Sequence, residues 1–170
     1  MVAKRIAKAI TPAIVAFLTY VIFSGSVRPY DVVTGIIVAI IAGVITAEML
    51  VKSPSKALNP VRLLWLIAYG LYYLIIAEPR AHYDVAKRII SPKMPIRPGI
   101  VRVPFNVKTD YAVTTIANSI TNTPGTVVVD LNTKKQVFYV HWIDVKAPDP
   151  KTTFENISKT FEYFSKKVFE

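Results

Sequence analysis

The chain has 170 residues, 52% of them hydrophobic and 19% charged, with a mean hydropathy of +0.39 and a net charge of +10. That balance is too apolar for a water-soluble protein of this length and points to a bilayer, with room for a few spans and one small domain. The basic excess is spread out, 7 basic to 2 acidic residues over positions 1–77 and 14 to 9 over 78–170, which fits a lipid surface better than nucleic acid. With no cysteine, disulfides, thiolate metal sites and cysteine nucleophiles are excluded.

Three apolar segments fill the first half. Residues 9–27 are 19 uncharged positions with Pro12 near the start, residues 32–47 are 16 and residues 63–77 are 15. All fall at or below the roughly 20 residues that cross a hydrocarbon core, and flanking Arg28, Lys52, Lys56 and Arg62 are expected to reach outward to the headgroups. Two more segments follow the first, so it reads as a span and not as a cleaved leader. Gly35, Ala39, Gly43 and Ala47 recur every four residues, which predicts a helix face that another helix approaches closely. Trp65, Tyr69, Tyr72 and Ile76 form a stripe on the third segment, read as an anchor at the lipid interface or a contact with another protein.

Ion paths need ionisable groups at mid-depth. The acidic candidates Asp31, Glu48 and Glu78 all stand at segment edges and read as caps or ion-pair partners. Three crossings would put Lys4, Arg5, Lys8, Lys52, Lys56 and Arg62 on one side and Arg28, Arg80, Lys87, Arg88, Lys93 and Arg97 on the other. Six against six leaves the orientation undecided by charge.

Glu78-Pro79 is expected to end the third helix, with residues 81–90 a separate amphipathic helix on the membrane surface. Prolines 92, 95, 98 and 104 then predict an extended linker over 91–99. Beyond it, Val101, Val103, Phe105 and Val107 alternate with polar residues as an edge strand. Thr109 or Asp110 caps a helix to about Ile120, and Thr123-Pro124-Gly125-Thr126 reads as a type II turn. Residues 127–131 and 136–143 form a hairpin, and an amphipathic helix follows with Phe154, Ile157, Phe161, Phe164 and Val168 on one face. The expected architecture is a membrane region of about three helices over 1–77, a juxtamembrane helix and linker over 78–99, and a small α+β domain of β-α-β-β-α order over 100–170.

Catalytic patterns are thin. His82 and His141 are the only histidines, too few for a zinc site without cysteine, and no cofactor or metal is expected. Ser119, His141 and Asp130 or Asp144 can be drawn as a hydrolase triad, but no G-x-S-x-G elbow frames the serine. Lys134, Lys135 and nearby aromatics do not amount to a nucleic-acid surface.

The residues Ala117-Asn118-Ser119-Ile120-Thr121 with Thr123-Pro124-Gly125-Thr126 are the most specific wording in the chain. Together with Arg28-Pro29-Tyr30-Asp31, Arg97-Pro98-Gly99-Ile100 and Val140-His141-Trp142-Ile143-Asp144, the chain resembles the E-type subunit of the Mrp-type Na+/H+ antiporters. That family is also found as a module in archaeal membrane-bound hydrogenase and sulfane reductase complexes. Asn122 departs from the apolar residue usual in bacterial members, which fits a divergent or archaeal one. The resemblance implies a multi-pass cell-membrane protein with a cytoplasmic C-terminal domain. It implies an accessory, non-catalytic subunit whose partners are other small hydrophobic antiporter subunits, with Asn118, Ser119, Thr121, Thr123, Pro124, Gly125 and Thr126 as a structural turn motif. The rival expectations are a free-standing membrane-surface anchor and a membrane-tethered enzyme acting through His141 and Ser119.

Overall fold

The computed structural model describes residues 2–170, with side chains from Arg5 onward, so the Lys4 side chain counted above lies outside the described residues. The chain forms two compact units, Met1–Pro60 and Val61–Glu170.

The first unit is a helical hairpin of α1 (Val2–Ser24) and α2 (Pro29–Leu50), followed by the short α3 (Pro54–Ala57). Both long helices are long and apolar enough to cross a membrane. The sequence closes the hairpin locally. Gly25 takes φ +62° and donates its amide to Val21 O at 3.1 Å, a left-handed stop that only glycine adopts without strain. Pro29 then starts α2, where its missing N–H costs nothing. The buried residues of α2 are Gly35, Ala39, Gly43 and Ala47, and α1 of the same chain lies against them. A Cβ at Gly43 would sit 2.7 Å from Ala13 Cβ and 2.8 Å from Ala9 O, and one at Gly35 would sit 2.7 Å from Tyr20 Cδ1. The backbones therefore approach as closely as glycine allows, and dispersion over that contact holds the pair.

The second unit begins with α4 (Pro60–Tyr72), passes through a π-helical turn (Tyr73–Ala77) and continues as α5 (Glu78–Ile90). Together they make one apolar helix of 31 residues, also long enough to cross a membrane. Contrary to expectation, Glu78-Pro79 does not end it, and residues 81–90 are not a separate helix. The Glu78 amide bonds Tyr73 O, five residues back, and the widened turn accommodates the proline ring that would clash in a regular helix. The same wide turn shifts the phase of the helix. Trp65, Tyr69 and Tyr72 are covered as one stripe, but Ile76 stays exposed while Tyr73 and Ala77 turn inward.

The rest of the unit is a three-stranded antiparallel sheet with helices on one face. The strands β1 (Gly99–Pro104), β2 (Thr126–Asn132) and β3 (Val137–Trp142) lie in the order β1-β3-β2, with β1 at an edge as Pro104 requires. Val101, Val140 and Val128 share one register row, and Val103 and Phe138 the next. This inner face packs against α6 (Asp110–Asn122), whose Ile116 and Ile120 are fully buried. Thr109 caps α6 by accepting the Ala112 amide. Residues 91–99 begin with a turn at Ser91 and are less extended than their prolines imply, with Met94 at φ +39°. Gln136, expected inside the hairpin strand, takes φ +52° and belongs to the turn. The chain closes with α7 (Pro150–Thr153), a π-helical turn (Phe154–Ser158) and α8 (Lys159–Phe169), one continuous run capped by Asp149.

Candidate functional site

The polar motif after α6 is built around backbone capping. Thr126 donates its amide to Thr123 O at 3.3 Å, Pro124 sets the first central φ, and Gly125 takes φ +95° as a type II turn demands. The hydroxyls serve the end of α6. Thr123 Oγ1 donates to Ser119 O at 2.6 Å, Thr126 Oγ1 donates to Ile120 O at 2.7 Å, and Thr121 Oγ1 accepts the Val128 amide at 3.2 Å. The first adds to the Thr123 amide's bond to the same carbonyl, the second serves a carbonyl of the last helical turn, and the third ties β2 to the helix. Asn118 is exposed on α6, ahead of the turn.

Ser119 is the member that reaches beyond the turn. It is buried, and its hydroxyl pairs with the Tyr69 hydroxyl of α4 at 2.5 Å. Tyr69 also stacks on Phe164 of α8, with ring centres 5.3 Å apart and planes 5° from parallel. Phe164 in turn meets Tyr72, and Phe161 meets Tyr73, while Trp65 lies edge-on to Tyr163. The aromatic stripe of the third apolar segment is therefore occupied by the C-terminal domain of its own chain. The signal was present in the sequence as a complementary Phe161-Phe164 pair, but a stripe alone does not name its partner.

At the other end of the helix an open groove of about 510 Å³ runs between α5, the 123–126 turn and the segment around Asp144. Arg88 holds Asp84 at 2.8 Å and Asp144 at 3.1 Å, and Arg97 holds Asp144 at 3.0 Å. The Arg97 hydrogen bond, helped by the charge of Arg88, keeps the Asp144 carboxyl below its ordinary range against the opposing effect of burial. The Gly125 carbonyl accepts the Ile143 amide at 2.9 Å, and a Cβ on Gly125 would lie 3.1 Å from Ile143 Cγ2. Sequence reasoning placed Gly125 but missed the pairing of Arg88 with Asp144, which lie far apart in the chain and meet only in the fold.

No hydrolase triad forms. Ser119 is buried on α6, against the inner face of the sheet, with its hydroxyl on Tyr69. His141 lies on the outer face, between Ile100 and Val127 in register. Among the described residues no three His, Asp or Glu side chains gather in a metal-binding cluster.

The acidic residues of the apolar helices are all engaged, Asp31 and Glu48 near the ends of α2 and Glu78 and Asp84 within the helix Pro60–Ile90. Asp31 accepts from Ser26 Oγ at 2.5 Å, Glu48 is bonded by Lys8 at 2.6 Å, and Glu78 pairs with the Tyr73 hydroxyl and with His82 at 3.1 Å.

A family described as Na+/H+ ion antiporter subunit matches residues 13–168. The chain belongs to that family. It is 43% identical over 82 residues to the E-type subunit of the Na+/H+ antiporter of Alkalihalophilus pseudofirmus, covering 48% of this chain and 51% of that one. Against the corresponding E-type subunit of Bacillus subtilis it is 30% identical over 107 residues, 63% of this chain and 62% of the other. The chain thus matches about half to three fifths of the length of these relatives. Among solved structures it is similar to a chain of the membrane-bound sulfane sulfur reductase, an archaeal respiratory membrane complex. There the TM-score is 0.84 and the identity 34%, over 96% of this chain and 99% of that one.

Proposed function

We propose that this chain is an accessory, non-catalytic subunit of a multi-subunit cation/proton antiporter, or of a respiratory complex that contains such a module. It supports assembly and coupling while other subunits carry the ions. One observation supports this reading above the rest: Asp31 and Glu48 stand near the ends of α2, and Glu78, inside the long third helix, is held locally by Tyr73 and His82. An ion relay needs a carboxylate at mid-depth that can exchange its partner. The similarity to antiporter subunits and to a respiratory-complex chain supports the same reading from the side of relatives. The other subunits of the complex are the partners, and the small-residue face of α2 and the turn after α6 act through structure.

The test is cation/proton exchange in vesicles carrying the complete complex. Glu48→Gln should leave the exchange rate and its pH profile unchanged in an assembled complex, whereas omitting the chain should reduce recovery of the whole complex after mild detergent extraction. Exchange abolished in a fully assembled Glu48→Gln complex would put this protein on the ion path. A chain that extracts alone would make it a free-standing anchor.

A further inference from the structure

All three apolar helices have the length to span a bilayer, but the third is covered in a way a span cannot be. Its partners within the second unit follow it from end to end. Arg62 donates to Val168 O at 3.0 Å, and the Lys167 ammonium lies 5.7 Å from the Trp65 ring centre. Tyr69 bonds Ser119, and Arg88 pairs with Asp144. From Arg62 to Arg88 an α-helix rises about 39 Å, more than the roughly 30 Å hydrocarbon core. Standing upright, this helix would carry the polar turn after α6 and the charges of α8 into the bilayer. Irregular backbone and charged side chains do not face lipid there, because their hydrogen bonds and hydration have no substitute.

Over residues 63–74 the opposite side of the same helix is bare and apolar. Leu63, Leu64, Ile67, Leu71 and Leu74 lie away from the covered Trp65, Tyr69 and Tyr72, and each is more than half exposed. A patch of this size does not face water. Arg80 and Lys87, both exposed, follow the patch on the same helix and are cations suited to anionic headgroups.

We propose that the helix Pro60–Ile90 lies along the membrane surface, its Leu64–Ile67–Leu71–Leu74 face in anionic lipid and the C-terminal domain on its water side, so that the described chain crosses the bilayer twice.

The charge count changes with the topology. Three crossings left six basic residues on each side. With two, Arg80, Lys87, Arg88, Lys93 and Arg97 join Lys4, Arg5, Lys8, Lys52, Lys56 and Arg62 on one side, and Arg28 stands alone on the other. Eleven against one decides the orientation: the start of α1 and the C-terminal domain share the cytoplasmic side.

The absence of cysteine makes the test direct. Val27→Cys, Ser55→Cys and Lys134→Cys, each at an exposed position, are made singly in the full chain within its complex. Labelling uses a membrane-impermeant maleimide on sealed vesicles of known orientation. Ser55→Cys and Lys134→Cys should react from one side and Val27→Cys only from the other. Reaction of Ser55→Cys and Lys134→Cys from opposite sides would mean that the third helix crosses and would overturn the proposal. A second arm attaches a fluorophore at Leu64→Cys, Ile67→Cys or Leu71→Cys in phosphatidylglycerol-containing vesicles whose lipids carry quenchers at graded depths. All three should report the same shallow depth. Depths that increase along the helix, or no quenching with cross-links to a neighbouring protein instead, would overturn the lipid assignment.

Discussion

The α1–α2 hairpin and the helix Pro60–Ile90 are both apolar enough to cross a membrane, yet they are held by different physics. In the hairpin the contact stripe is Gly35, Ala39, Gly43 and Ala47, and the gain comes from close approach of two backbones. In the third helix the stripe is Trp65, Tyr69 and Tyr72, and the gain comes from ring packing on α8 plus a hydroxyl pair with Ser119. Apolar length says that a helix avoids water. The size and polarity of its covered stripe say what it meets instead.

The largest expected effect breaks the hairpin. Gly43→Leu drives a side chain into Ala13 and the Ala9 carbonyl, neither of which has room to move, and should cost about 3 kcal/mol. Recovery of assembled complex should fall, while Val38→Leu, on an exposed part of α2, should leave it unchanged. Equal recovery of both variants would remove the close-approach argument.

Gly125→Val should cost about 2 kcal/mol in the C-terminal domain, since it combines a β-branched residue at φ +95° with a contact at Ile143. Thermal unfolding of the purified full chain in detergent reads the loss, and the hairpin should be unaffected. Tyr69→Phe comes next. It keeps the ring on Phe164 but strands the buried Ser119 hydroxyl, for about 1 to 2 kcal/mol. A double variant with Ser119→Ala should recover part of that loss; no recovery would mean the hydroxyl pair carries little.

Asp144→Asn should cost about 1 kcal/mol at neutral pH, because Arg97 is mostly exposed and solvent screens its share. Folding lowers the proton affinity of Asp144, so its contribution is full above the ordinary carboxyl range near pH 4 and fades as the pH falls below it. The variant should therefore show a shallower loss of stability on acidification than the parent. The smallest effect is expected for His141→Gln, on the outer face of the sheet, at no more than about 1 kcal/mol with cation/proton exchange at its usual pH optimum. A shift of that optimum in an assembled complex would place His141 on a proton route.

Local rules were legible wherever one residue type has one physical use. Four-residue spacing of Gly and Ala marked the packed face of α2, alternation of Val101, Val103, Phe105 and Val107 marked buried positions, and Pro124-Gly125 marked the turn. Local rules failed at Glu78-Pro79. There the penalty for proline in a helix is real, but a π-helical turn at Tyr73–Ala77 absorbs it, and whether a helix widens depends on what lies beside it.

The sequence by itself determined the apolar segments, the strand and helix order and the polar turn, because each follows from periodicity or backbone preference within a few residues. Only the tertiary structure decided that Tyr69 meets Ser119, that Arg88 meets Asp144, and that one face of the third apolar helix belongs to the C-terminal domain. Those contacts join residues far apart in the chain, 50 positions in the case of Tyr69 and Ser119, and no pattern confined to one helix records which surface will arrive to cover it.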